Sequence, residues 1–144
     1  MGLFNIFKLF GNKRNMTKGK NGELHGEDAE RYNRMWDRWA EGKIGSPFAE
    51  LMTYQAEVNN GGHSQFFHNV NVRGALKKTV MELNKILPEN HKRNLKLAYD
   101  TYKRCGDDYE KSDPILDKCD DFFYENEATI NSILESFSKN KIIF

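Results

Sequence analysis

The spacing of the apolar residues between glycine and proline breaks constrains the fold of this chain most strongly. Several segments place apolar side chains three and four residues apart, which is the repeat of one face of an α-helix. The clearest examples are Tyr32, Met35, Trp36 and Trp39 in one segment and Leu76, Val80, Leu83 and Leu87 in another. No segment shows the sustained alternation that is typical of a strand. The sequence therefore predicts an all-α fold of six or seven helices joined by short loops.

Glycine, proline and capping residues predict where the helices begin and end. We expect helices over residues 27–40, 47–58, 63–70, 72–87 and 89–104, followed by two more toward the C-terminal end. Ser46 is predicted to cap the second helix, with Pro47 at its first position. The run Ser112, Asp113 and Pro114 predicts the start of the sixth helix.

The chain of 144 residues is long enough for one compact helical domain and too short for two. We assign this domain to residues 27–144, after an amphipathic segment and a glycine-rich linker in residues 1–26. The apolar run in residues 1–10 is too short to span a bilayer, and its basic residues follow it, unlike those of a secretory signal. Residues 1–14 either contact a membrane surface weakly or pack against this protein or a partner.

The two cysteines of the chain, Cys105 and Cys119, provide neither a disulfide framework nor a zinc-binding pattern. Two thiols of this kind are typical of a reducing compartment. We therefore expect the protein to be cytoplasmic.

The net charge is only +1, which excludes a uniformly basic or a uniformly acidic surface. The charges nevertheless form blocks, because residues 1–20, 21–57, 58–105 and 106–144 carry net charges of +5, −4, +6 and −6. The last block contains a predicted acidic contact face, namely Asp107, Asp108, Asp113, Asp117, Asp120 and Asp121. Such a block is either a solvated helix face or a surface that meets a basic partner or the basic middle of this chain.

A polar motif at residues 57–69 interrupts the helical pattern. It reads Glu-Val-Asn-Asn-Gly-Gly-His-Ser-Gln-Phe-Phe-His-Asn. Adjacent glycines permit backbone conformations that other residues avoid, and Gln65 and Asn69, four residues apart, share one helix face. The candidate binding residues are Asn60, Gly61, Gly62, Gln65, Phe67 and Asn69. They either form a buried polar knot that joins two helix ends or converge on a pocket for a ligand or a partner peptide.

The motif resembles the signature of a bacterial domain family of unknown function whose described member is a DNA mimic protein. The family pattern is roughly Glu-Val/Ile-x-Asn-Gly-Gly-Phe-x-Gln-Tyr/Phe-Phe-x-Asn, and this chain departs from it at His63, where the family usually has Phe. The matching positions are Glu57, Val58, Asn60, Gly61, Gly62, Gln65, Phe66, Phe67 and Asn69. The acidic and aromatic stretch at residues 116–124 is similar to a second family element.

The resemblance implies an all-α fold, a homodimer and no known catalysis. In the described member, acidic side chains imitate phosphates and occupy the DNA site of a transcription factor. We therefore expect a protein-binding module whose partner is another protein, such as a transcription regulator. Because this chain lacks the overall acidity of a DNA mimic, mimicry would depend on the acidic stretch from Asp107 to Glu127.

The alternative function is nucleic-acid binding through the basic segment 73–104. Its basic side chains are Arg73, Lys77, Lys78, Lys85, Lys92, Arg93, Lys96, Lys103 and Arg104. The sequence contains no motif for reading a DNA groove, so we expect protein binding rather than nucleic-acid binding.

We expect no enzymatic activity, no cofactor and no metal site. His63 and His68 lie five residues apart, whereas the helical zinc motif places its histidines four apart with a glutamate beside the first. Ser64 follows His63, but adjacent side chains on a helix do not face each other. The sequence also has no phosphate-binding loop and no dinucleotide fingerprint.

Overall fold

Six α-helices account for nearly all of the residues that the computed structural model describes, which are residues 24–140. They are α1 (Gly26–Ala40), α2 (Phe48–Val72), α3 (Leu76–Leu83), α4 (Glu89–Cys105), α5 (Tyr109–Glu125) and α6 (Glu127–Ser138). This part of the chain contains no strand, so the predicted all-α fold and helix number are confirmed. The predicted N-terminal segment and most of its linker lie outside the described residues. None of the six helices is long and apolar enough to cross a membrane.

The first helix buries the face that the sequence predicts. Its buried side chains are Tyr32, Met35, Trp36 and Trp39. Trp39 Nε1 donates a hydrogen bond to Thr53 Oγ1 of α2 at 3.0 Å, and α1 also packs along α6. The apolar stripe of α1 therefore closes one side of the domain over α2 and α6.

The second helix lies at the centre of the domain, because α2 contacts each of the other five helices. Its fully buried apolar side chains include Leu51, Tyr54, Val58, Phe66 and Phe67. A helix that is apolar around most of its circumference must be enclosed by protein. Polar residues in the same helix are then enclosed too, and Glu57 and His63 are both fully buried.

Two glycines break α2 in the middle, at the position that the sequence predicts. Gly61 has φ −158° and ψ 22°, and Gly62 has φ 77° and ψ −179°, so both leave the helical region. Residues with a Cβ rarely adopt the backbone conformation of Gly62. A Cβ at Gly62 would also overlap the carboxylate of Asp120 on α5. The break therefore needs glycine both for its dihedral angles and for the close approach of α5.

The prediction that Ser46 caps the second helix is wrong. The Ser46 hydroxyl donates to the Glu50 carboxylate at 2.8 Å, and α2 begins at Phe48 without a side-chain cap. A charged acceptor forms a stronger hydrogen bond than a neutral one. The Ser46 hydroxyl therefore bonds to the Glu50 carboxylate instead of to the backbone at the start of α2.

The fourth predicted helix, over residues 72–87, is longer than the observed α3, which covers Leu76–Leu83. Gly74 has φ 73° and separates α2 from α3. At the other end, the Asn84 side chain donates to the Val80 carbonyl at 3.1 Å. After Asn84, the N–H groups of Lys85 and Ile86 bond carbonyls three residues back instead of four, so the α-helix ends there.

The predicted helix start at Ser112 is also wrong, since α5 begins at Tyr109. Asp108 caps this helix, and its carboxylate accepts a hydrogen bond from the backbone N–H of Lys111 at 3.4 Å. Pro114 consequently lies inside α5. A proline within the second turn removes one backbone hydrogen bond from the helix. The sequence pattern instead predicts that this proline marks the start of the helix.

His91 joins α4 to the junction between α5 and α6. Its ring is fully buried, and Nε2 donates to the carbonyl oxygen of Asn126 at 3.0 Å. The ring also packs against Phe122, with the two ring centroids 5.4 Å apart. Burial lowers the pKa of His91, and this effect outweighs the hydrogen bond to Asn126, which acts in the opposite direction. The buried imidazole is therefore neutral in the folded protein at neutral pH.

We expect Gly62→Ala to lower the free energy of unfolding by about 3 kcal/mol, because alanine is strained at this φ and its Cβ meets Asp120. Gly45→Ala is the matched control, since a Cβ at Gly45 would meet nothing within 4 Å and its φ is not positive. The control should change stability by less than about 1 kcal/mol. Urea denaturation followed by circular dichroism measures both, and equal effects would contradict the requirement for glycine in the break.

We expect His91 to make the folded state less stable as the pH falls from 7 to 5. The unfolded chain protonates this residue near its ordinary pKa of about 6.5, whereas the folded chain, with its lowered pKa, resists protonation. Between these two pH values the wild type should lose about 1 kcal/mol more of its unfolding free energy than His91→Gln. Urea denaturation at both pH values measures the difference, and parallel losses would contradict a buried neutral ring.

Candidate functional site

The polar motif spans the break in α2, and one buried carboxylate joins its two halves. Glu57 lies before the break, whereas Gln65 and Asn69 lie after it. Gln65 Nε2 and Asn69 Nδ2 both donate to Glu57 Oε1, at 3.1 and 2.9 Å. The predicted shared face of the two amides is therefore confirmed. The carboxylate fixes the orientation of the second half of α2 relative to the first.

Glu57 is fully buried, and its Oε2 has no hydrogen-bond partner within residues 24–140. Removing a carboxylate from water is costly unless protein groups replace its hydration. The two amide donors replace part of it, because hydrogen bonds to a charged acceptor are strong. Glu57 is thus an internal part of the motif rather than a surface acid.

Gly61 leaves room for the carboxamide of Gln65. A Cβ at Gly61 would lie 2.7 Å from Gln65 Cδ and would overlap the amide oxygen as well. The Gln65 side chain can therefore fold back over the break and reach Glu57 only because residue 61 has no side chain.

His63 connects the break to α5 and to the first half of α2. Its Nδ1 lies 2.6 Å from Asp120 Oδ1, and its backbone N–H donates to the same oxygen at 2.8 Å. The hydroxyl of Tyr54 lies 2.7 Å from Nε2. A carboxylate only accepts, so Nδ1 carries a proton and donates to Asp120, while Nε2 shares a hydrogen bond with the Tyr54 hydroxyl. Burial raises the pKa of Tyr54 well above its usual value, which keeps this hydroxyl protonated.

A third carboxylate holds the first half of α2 from another side. Glu127, at the start of α6, accepts from Gln55 Nε2 at 2.9 Å and from Asn59 Nδ2 at 2.7 Å. The Tyr124 hydroxyl on α5 donates to the Val58 carbonyl, one turn before the break, at 2.8 Å. Carboxylates from α2, α5 and α6 therefore surround the break, and the amides of the motif form a polar network across it.

One side of this network is open to solvent as a groove of about 440 Å³. The groove is lined by Asn60, Gly61, Ser64, Gln65, His68, Asn69 and Tyr109. Four of the six candidate binding residues therefore line one concave surface. The motif therefore forms hydrogen bonds to buried Glu57 on one side and lines a groove on the other, and binding at the groove stays a prediction.

Two of the candidate binding residues lie away from the groove. Phe67 is fully buried, and its ring stacks against Tyr102 with a centroid distance of 5.0 Å. Gly62 is buried under Asp120. Both residues support the packing of α2 against its neighbours, and neither has a surface that could touch a partner.

The model of the DMP19-like protein family matches residues 47–141. The chain belongs to this family. The match confirms the resemblance that the motif carries, and it covers α2 to α6 with all three carboxylates of the network. No curated protein and no solved structure matches the chain.

The DMP19-like region also contains the predicted acidic contact face, and five of its six carboxylates are exposed. Asp120 is the exception, because it accepts two hydrogen bonds from His63. Asp113, Asp117 and Asp121 recur every four residues and therefore follow one side of α5. None of these three forms an ion pair within the described part of the chain. We call these three side chains the carboxylate row.

The basic segment of this family member is partly neutralised by its own helices. Its ion pairs join Lys85 to Glu82 at 2.9 Å, Lys96 to Asp100 at 3.0 Å and Lys92 to Glu89 at 4.0 Å. Lys103 lies 4.3 Å from the centre of the Tyr99 ring. These contacts are local to α3 and α4, so the basic segment does not pair with the carboxylate row.

The histidines and cysteines do not form a cluster. Both ring nitrogens of His63 are engaged in hydrogen bonds, whereas His68 is exposed at the groove. No group of three or more potential metal ligands occurs within residues 24–140. Burial raises the pKa of Cys119 to about 11, so this residue is a thiol at neutral pH rather than a nucleophilic thiolate. The absence of enzymatic activity stays a prediction.

Sequence reasoning missed the partners of the motif, especially Tyr54 and Glu127. One signal was present for Gln55 and Glu57, since both are strongly polar within residues 51–58, whose other members apart from Thr53 are apolar or aromatic. A polar residue in a helix that is apolar all round must be buried and therefore hydrogen-bonded. The identity of the partners depends on contacts between distant helices and has no local signal.

We expect His63→Phe, which introduces the usual family residue, to lower the free energy of unfolding by about 3 kcal/mol. The substitution leaves the buried Tyr54 hydroxyl without its partner and removes the ring donor from Asp120, whereas the backbone N–H of residue 63 is retained. Chemical denaturation measures the loss.

Tyr54→Phe in the His63→Phe background provides the matched test. It removes the stranded hydroxyl, so the double variant should be more stable than the sum of the two single effects predicts, by about 1 kcal/mol. Strict additivity of the two substitutions would contradict a hydrogen bond between Tyr54 and His63.

Proposed function

We propose that this DMP19-like chain is a protein-binding module that uses the carboxylate row of α5 to bind a basic surface of another protein. The observation that carries the proposal is the row itself, Asp113, Asp117 and Asp121, which is exposed and has no ion pair in the part of the chain that the structure describes. Membership of the family supports the proposal, because the described member is a DNA mimic.

The row is suited to electrostatic recognition because its helix is fixed in place. Residues four apart on a helix rise by about 6 Å, so the three charges are evenly spaced along α5. Asp120 and Tyr124 anchor the same helix to the break in α2. A rigid row of like charges produces a local field even when the net charge of the chain is near zero. The DNA-binding surface of a transcription regulator has the complementary charge.

The basic segment 73–104 supports nucleic-acid binding less strongly. Three of its lysines form ion pairs with nearby carboxylates: Lys92 and Lys96 pair within α4, and Lys85, just after α3, pairs with Glu82. Phosphate contacts require cations that are free to replace counterions. The homodimer and the cytoplasmic location remain predictions of the same proposal, and light scattering and cell fractionation test them.

We expect the triple variant Asp113→Asn, Asp117→Asn, Asp121→Asn to lose its protein partner. The immobilised full chain is incubated with extract of the cells that produce it, and bound proteins are identified by mass spectrometry. Recovery of the partner should fall at least about tenfold in the triple variant, since like charges on a rigid helix act together. Recovery by the wild type should fall as sodium chloride rises, and an excess of duplex DNA should compete with the chain for the partner.

The matched control removes three charges from a different surface. Glu30→Gln, Asp37→Asn and Glu41→Gln alter exposed carboxylates on or just after α1, so the net charge changes equally. This variant should capture the partner as the wild type does. Full recovery by the α5 variant, or no protein above background with the wild type, would contradict the proposal.

A further inference from the structure

We infer that the groove beside the Gly61–Gly62 break is a binding site for an arginine side chain of the protein partner. The inference rests on the proposed function and deepens it, because it names the group of the partner that enters the surface next to the carboxylate row.

Two carboxamide side chains line the groove, and the oxygen of Gln65 lies directly over Gly61. Gln65 and Asn69 donate their N–H groups inward to Glu57, so each carboxamide directs its oxygen away from the carboxylate. Both side chains line the groove, and neither oxygen accepts a hydrogen bond from a described residue. Side chains four apart on a helix lie about 5–6 Å from each other. A planar guanidinium with five N–H donors can bridge two acceptors at such a separation.

The charge behind these amides favours a cation. Glu57 is fully buried, its Oε2 has no hydrogen-bond partner in the described chain, and the side chain forms no ion pair there. A carboxylate that accepts from an amide polarises it and makes the amide oxygen a better acceptor. A charge in the interior is also less screened than one in water. The groove therefore favours a positively charged group over a neutral or an anionic one.

An exposed aromatic ring favours arginine over lysine. Tyr109, the first residue of α5, lines the groove and is 55% exposed. Tyrosine is enriched at protein–protein interfaces, because it combines an apolar ring with a polar hydroxyl. A guanidinium stacks on an aromatic face while its edge still forms hydrogen bonds, whereas the ammonium of lysine is a compact, strongly hydrated charge. The Tyr109 ring thus fits the face of one guanidinium group, and the two amide oxygens fit its edge.

The groove continues into the carboxylate row. Asp113 and Asp117 follow Tyr109 on α5 by four and eight residues, so the three side chains lie along the same side of the helix. A basic protein surface that rests on the row is therefore placed to insert one arginine into the groove. The groove supplies the directional hydrogen bonds, and the row supplies the longer-range attraction.

The test is a titration of the ¹⁵N-labelled full chain with a blocked tetra-arginine peptide, followed by NMR. We expect saturable shifts of the Gln65 and Asn69 side-chain amides and of the Gly61 backbone amide. A tetra-lysine peptide should bind about fivefold more weakly, because it lacks the planar group that stacks on Tyr109. Equal affinity of the two peptides, or shifts confined to the carboxylate row, would overturn the arginine site.

Matched variants locate the binding. Ser64→Arg places a guanidinium of the chain itself in the groove. It should lower the affinity for the tetra-arginine peptide at least about tenfold. Ser132→Arg adds the same charge on α6, where Ser132 is exposed and lines a different groove, and should leave the affinity within about twofold. Tyr109→Ala should weaken binding about fivefold, and Tyr109→Phe should retain it. Equal weakening by both Ser→Arg variants would overturn the site.

The same variants separate this inference from the proposed function. If Ser64→Arg abolishes peptide binding but captures the cellular partner as well as Ser132→Arg does, the partner does not use the groove, and the inference fails while the proposed function stands. If the wild type captures no partner although the peptide binds in the groove, the proposed function fails. Loss of both peptide binding and partner capture in Ser64→Arg alone supports the inference.

Discussion

The contact between Asp120 and the Gly61–Gly62 break is the constraint on which the rest of the structure depends. The carboxylate lies where a Cβ of residue 62 would be, and it accepts both the backbone N–H and the ring Nδ1 of His63. This contact fixes the angle between the two halves of the central helix and the position of α5. The acidic side of α5 is therefore held at a defined place beside the motif.

The central position of α2 explains why the motif is so polar. A helix enclosed by five others also encloses its own Gln55, Glu57 and His63, and buried polar groups need partners. The partners are carboxylates and amides from three helices, arranged around the break. Because Glu57 accepts the N–H groups of Gln65 and Asn69, the hydrogen bonds that stabilise the core leave the oxygens of two groove-lining amides free of Glu57. The packing of α2 and the proposed recognition at the groove thus both depend on the hydrogen bonds from Gln65 and Asn69 to Glu57.

Local rules predict much of this arrangement and fail where distant residues compete. The helical spacing of apolar residues predicts most of the helices and the buried face of α1. The adjacent glycines predict the break in α2, and the four-residue interval between Gln65 and Asn69 predicts their shared face. The sequence cannot distinguish Asp120 from its exposed neighbour Asp121, because the difference comes from His63, 57 residues away. Phe67 was predicted as a binding residue for the same reason, since its packing against Tyr102 has no local signature.

The most direct test of the central claim is hydrogen exchange of the side-chain amide protons of Gln65 and Asn69, measured by NMR in the unmodified full chain. If the buried Glu57 carboxylate holds both amides, their protons exchange much more slowly than those of Asn71, which is exposed two residues beyond the motif. Exchange of Gln65 and Asn69 as fast as that of Asn71 would contradict the account.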